Sequence, residues 1–272
     1  METVLHNPAR RAVKIEGALS ASVTAASGKA ESGHGNGDCL LLDFGRAFFA
    51  VADASERHPR ASREFLGRIM AALGDGPVPA ESEELLALLN SCYAEQPYSR
   101  TATFCGVCLE NRGGILSALI ANGGDSFCAI ADGISGEILY KTPPDMCFAG
   151  RSLCVGTVAR VPLSTGRERI ILATDGLIDL ARALKLSPMS MCGQYAALYP
   201  PDEAADRLSR YLARNAETLC HDDVALLVLN PHALTRFDLP PLWLGGTGRN
   251  EERKFRESAP ALADRWLPWP SE

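Results

Sequence analysis

The order of hydrophobic runs predicts an α+β fold, with sheets covered by helices. Two observations carry this. Strand-like runs follow one another across short turns, and helix-like runs stand in blocks between them rather than after every strand. A parallel βαβ repeat would alternate strand and helix, and this chain does not. No internal repeat is present.

The first strand-like runs are "CLLLDFG" (39–45) and "AFFAVAD" (47–53), joined by the short link "FGR". Two helical runs follow. "PRASREFLGRIMAALG" sets Phe65, Leu66, Ile69, Met70 and Leu73 on one stripe. "ESEELLALLNSCYAE" has acids in its first turn and Leu85, Leu88 and Leu89 at helical spacing. Strand-like runs resume at 101–110, 114–125, 126–132 and 137–141, with Asp132-Gly133 as a turn signal between the last two. Next comes "RERIILATD" (167–175). A third helix starts at Pro201, with Leu208 and Leu212 four apart, and "DVALLVLN" (223–230) closes the series. Residues 236–272 are Pro-rich and charged and hold Trp243, Trp266 and Trp269. They are expected as a C-terminal tail packed on the outside of a domain spanning 1–235, or as a partner-binding segment.

The net charge of −6 argues against binding nucleic acid by general phosphate attraction. No run approaches the ~18 apolar residues of a membrane helix, and the polar N-terminus does not read as a signal peptide. Nine cysteines, an odd number, fit free thiols in a reducing cytoplasm. Cys105 and Cys108 form a C-x-x-C, but in a strand they face opposite sides, and no second pair completes a zinc site. They are expected to be buried thiols.

Aspartates recur at the ends of apolar runs. Asp53 ends "FFAVAD", Asp175 ends "IILATD", Asp222 and Asp223 open "HDDVALLVL", Asp38 opens "DCLLLD", and Asp125 lies in "ANGGDS". One such Asp is ordinarily a turn residue or helix cap. Acids from these five places, if they converge, would repel one another unless a cation neutralised them. Carboxylate oxygens suit Mg2+ or Mn2+. A pair of such ions acidifies a water and steadies charge on a phosphoryl group.

With these motifs in the order "NGDCLLLD", "FFAVADAS", "SRTATFCGVCL", "ALIANGGDSFCAIADG", "RIILATDGLIDL" and "HDDVALLVL", the chain resembles the metal-dependent protein phosphatases of the PPM group, type 2C and its bacterial relatives, from about Gly33 to Asn230. The resemblance implies a four-layer α-β-β-α sandwich of two mostly antiparallel sheets flanked by helices. It implies hydrolysis of phosphoserine and phosphothreonine in phosphoprotein substrates by a metal-activated water. Asp38, Asp53, the carbonyl of Ala54, Asp175 and Asp222 fall on ligand positions for two Mg2+ or Mn2+ ions. Asp125 and Asp179, with Asp175, fall where many members hold a third. A variable flap is expected near 181–200.

The chain departs from the family at several places. Gly37 stands where an acid or amide precedes the first Asp, and Gly33 where an arginine clamps the substrate phosphate. Ser55 stands where some members have a histidine. Arg57 is expected to supply the phosphate contact, and His58 or His34 to assist the leaving group. Two alternatives remain: a binding or regulatory module of phosphatase shape without turnover, and a phosphomonoesterase acting on small molecules.

Overall fold

The structure is a computed structural model that describes residues 12–26, 34–55, 57–96, 100–143, 145, 148–149, 152–214, 222–234 and 240–254. The chain folds as two six-stranded antiparallel sheets stacked face to face, each backed by helices on its outer side. This is the four-layer sandwich expected.

The first sheet holds β1 (Ala12–Ile15), β2 (Leu19–Thr24), β13 (Val224–Leu229), β12 (Glu168–Ala173), β7 (Phe127–Asp132) and β8 (Ile138–Lys141), in that spatial order. The second holds β11 (Thr157–Pro162), β6 (Ile115–Gly123), β5 (Phe104–Arg112), β4 (Phe48–Ala52), β3 (Asn36–Asp43) and β14 (Leu242–Thr247). β9 (Phe148–Ala149) and β10 (Ser152–Leu153) form a separate small hairpin.

Strand alternation explains why these runs are almost continuously apolar. Leu40 and Leu42 of β3 join Val51, Val107 and Ile120 in the core between the sheets, facing Val23, Ile130, Ile170 and Leu227. Cys39 and Leu41 point the other way. There they meet α1 (Ala61–Leu73) and α2 (Ser82–Ala94) through Phe65, Ile69, Leu85 and Leu89. On the opposite outer face, Ile171, Ala173 and Leu226 pack against α3 (Gly176–Ala183), α4 (Pro188–Leu198) and α5 (Pro201–Arg214). Each central strand is therefore buried on both sides.

Cys105 faces the inter-sheet core and Cys108 the helical layer, and both are free thiols. The turn expected at Asp132-Gly133 is present, with Asp132 Oδ1 accepting from the N–H groups of Ile134 and Ser135. Residues 181–200, expected as a flap, form the end of α3 and α4, with Met191, Cys192 and Ala196 buried on the sheet.

Within 236–272, Leu242–Thr247 is a full strand paired with β3, and 249–254 is helical. Trp243 packs on the α1 side under Arg63. Trp266 and Trp269 lie outside the described residues, as does Gly33. Among the described residues no helix is long and apolar enough to cross a membrane.

Candidate metal centre

Antiparallel pairing decides where the aspartates meet. β3 begins where β4 ends, and β12 ends where β13 begins. The start of β3 brings Asp38, the exit of β4 brings Asp53, the exit of β12 brings Asp175, and the entry to β13 brings Asp222 and Asp223. Asp125 lies in the β6–β7 junction beside them.

The two sheets are joined at this edge. Thr174 Oγ1 donates to Asp38 Oδ2 at 2.6 Å and accepts from Ala225 N–H at 2.9 Å. Asp223 accepts from Ala26 N–H with one oxygen and from Gly37 N–H with the other, both at 2.9 Å. Asp53 is fixed from the far side, its carbonyl accepting from Thr103 N–H at 2.7 Å. Thr103 in turn bonds Ser126 through their hydroxyls at 2.6 Å.

The acids form a gradient from core to solvent. Asp38 and Asp223 are buried, Asp53, Asp175, Asp179 and Asp222 are half-buried, and Asp125 is exposed. Burial holds the Asp38 carboxyl well above the usual carboxylate range, and the charges of Asp53 and Asp223 add to it. Asp175 is pushed up to about 7, first by burial and then by Asp53, Asp125, Asp222 and Asp179. These are the groups the sequence singles out, and each is near enough to act on Asp175.

A helix-cap role does not account for Asp175. Asp175 precedes α3 but makes no side-chain cap bond, and it forms no ion pair among the described residues. Asp53 is separated from α1 by a turn. Asp179 pairs with Arg182 at 2.9 Å.

Among the described residues no three His, Cys, Asp or Glu side chains are contracted into a ligand cage. Converging carboxylates repel one another unless a cation neutralises them. The donor set, acidic oxygens with a main-chain carbonyl beside them, fits a hard divalent ion. Gly37 belongs to the same packing. A Cβ there would overlap the Ala54 carbonyl oxygen, while Ala54 N–H donates to the Gly37 carbonyl at 3.2 Å. The space that a side chain at position 37 would enter is thus filled by the Ala54 carbonyl. Gly176 serves a similar close approach to the Asp223 carbonyl.

Past the exit of β4, a few residues after Asp53, the chain reaches a cavity of about 640 Å³ lined by His34, Arg57, His58, Arg60, Arg100 and Arg249. The expected Arg57 and His58 are both on its wall.

The architecture has known counterparts. The PP2C phosphatase domain of SpoIIE from Bacillus subtilis superposes with a TM-score of 0.56 at 17% identity, over 78% of this chain and 63% of that one. The SiaA PP2C domain of Pseudomonas aeruginosa gives 0.54 at 16% identity, over 80% and 86%. The chain has the PP2C phosphatase-domain fold. The serine/threonine phosphatase PstP/Ppp of Mycobacterium tuberculosis gives 0.50 at 19% identity, over 78% and 98%. No protein-family model matches the chain, and no curated protein matches it. At these identities the PP2C fold is what is shared.

Thr174 and Thr103 are the site residues that sequence reasoning missed, and Asp223 stood out as a strand-end acid but not as the bridge between Ala26 and Gly37. Thr174 adjoins Asp175, and that adjacency was the one signal available.

Proposed function

We propose that this chain is a phosphoprotein phosphatase, dependent on Mg2+ or Mn2+, that hydrolyses phosphoserine and phosphothreonine. The observation that carries the reading is the convergence of Asp53, Asp175 and Asp222 with buried Asp38 at one edge of the sandwich. Acids that raise one another's pKa are costly to keep together without a cation.

Asp53, the Ala54 carbonyl, Asp175 and Asp222 would hold two ions, with Asp38 bearing on Asp53 from inside. Asp125 and Asp179 would serve a third, weaker site. Divalent ions held there supply acidification of a water and neutralisation of phosphoryl charge. Asp38, locked by the Thr174 hydroxyl, keeps Asp53 in place as substrate enters. Arg57 grips the phosphate with its planar fork of N–H groups. His58 gives a ring proton to the ester oxygen as the P–O bond breaks, so serine or threonine leaves as the alcohol.

The test is hydrolysis of an aryl phosphate and of a phosphoserine peptide with Mn2+ and with chelator. Metal-dependent release of phosphate is expected. Gly37, which supplies no side-chain oxygen, favours a second reading as a phosphate-binding module without turnover. Background rates at saturating Mn2+ would support that reading. A rate on small phosphates far above that on the peptide would point to a phosphomonoesterase. A cytoplasmic location accords with the free thiols.

A further inference from the structure

The basic cavity is larger than one phosphate requires, and its far wall comes from the C-terminal segment. At about 640 Å³ it falls within the range that holds a ligand of many atoms. Four arginines line it against one acid, Glu64, in a chain of net charge −6.

The four arginines are not equivalent. Arg60 is engaged by Glu251 at 3.0 Å, and Arg100 lies 3.9 Å from Glu64. Arg57 and Arg249 are exposed and form no ion pair among the described residues. Arg57 follows Asp53 closely and is assigned to the reacting phosphate. Arg249 stands beyond the end of β14, and its place is fixed on three sides. β14 pairs with β3 as far as Thr247, Glu251 accepts from Gly248 N–H at 2.7 Å, and Arg60 holds Glu251. Gly35 completes the floor, because a side chain there would run into Pro59 and the Thr247 carbonyl.

Resting on the phosphatase reading, we propose that this cavity selects phosphopeptides with acidic residues beside the phosphorylated one, and that Arg249 determines that selectivity. An open guanidinium on the wall of the cavity that Arg57 also lines attracts a second anionic group of the same peptide. An apolar or basic neighbour would gain nothing from it and would meet Arg100 and Arg60 as well.

The test uses the full chain with Mn2+ and a fluorescent peptide carrying a non-hydrolysable phosphonate analogue of phosphoserine. One version has Asp and Glu around the phosphonate, the other Ala. At low salt the acidic peptide is expected to bind about tenfold more tightly, with the gap narrowing as salt rises. Arg249→Ala is expected to reduce the gap to about threefold or less, and Arg249→Lys to restore most of it. Equal affinity for the two peptides, binding of neither, or a gap that Arg249→Ala leaves intact overturns the proposal. Turnover of an aryl phosphate by the unmodified chain is scored separately. Its absence contradicts the hydrolytic reading alone, because peptide selectivity is read by binding.

Discussion

The Thr174 hydroxyl, one residue past the end of β12, donates to Asp38 Oδ2 in β3 at 2.6 Å, so one hydrogen bond joins the two sheets at the acidic edge. The same oxygen accepts from Ala225 N–H. Thr174→Val would leave a buried carboxyl and a buried N–H without this partner. It is expected to cost about 1–3 kcal/mol in urea unfolding with an unchanged m-value, and Thr174→Ser to recover most of that. Phosphatase activity should fall with Val more than stability alone explains, because Asp38 bears on Asp53.

Metal should stabilise the chain, and more so at high pH. Asp175 sits at about 7 in the metal-free protein against its usual 3.8. Its folded value is raised, so its contribution to stability is fullest below about 4 and is lost as pH climbs toward 7. Cation binding needs the carboxylate and displaces that proton. The rise in Tm on adding Mn2+ is expected to be larger at pH 8 than at pH 6. Asp175→Asn should flatten that difference and make the metal-free chain more stable at pH 8.

Placing an acid at position 37 should harm this chain. Gly37→Glu would drive a side chain into the Ala54 carbonyl, between β3 and the exit of β4. The expected result is a loss of about 1–3 kcal/mol or more, with weaker Mn2+ binding by calorimetry. Tighter binding would mean that the Ala54 carbonyl does not occupy the place of the missing donor.

At the far end of β12, burial pushes Glu168 upward. Hydrogen bonds from Thr165, its own backbone and the His232 ring outweigh it and hold the carboxyl at about 2. Its folded value is depressed, so the stability it contributes is present above about 4.5 and is lost as pH falls toward 2. Glu168→Gln is expected to make the acid limb of the stability curve shallower while leaving turnover per folded molecule unchanged.

The central strands and three of the helices were legible because they are apolar on both faces or carry a clear helical stripe. β2, "LSASVT", was not. Its Ser20 and Ser22 hydroxyls are buried against α5, donating to the Pro201 and Ala205 carbonyls at 2.5 and 3.2 Å. A polar strand face satisfied by a helix 181 residues away has no local pattern. β14 was hidden by Gly245 and Gly246, both at positive φ, and by the prolines before it. Gly245 also gives the room by which the chain passes the Asp38 carbonyl. The acids were legible because each interrupts an apolar run. Thr174 reads locally as the tail of a strand, and its partner is 136 residues away. Arg249 is placed by β14, and so was invisible once that strand was.

The central claim is that Asp53, Asp175 and Asp222, backed by Asp38, enclose divalent cations. Anomalous scattering from a crystal soaked in Mn2+, recorded at the manganese edge, tests it most directly. Two peaks among the carboxylates of Asp53, Asp175 and Asp222 are expected. A map with no peak among these carboxylates at saturating Mn2+ would contradict it.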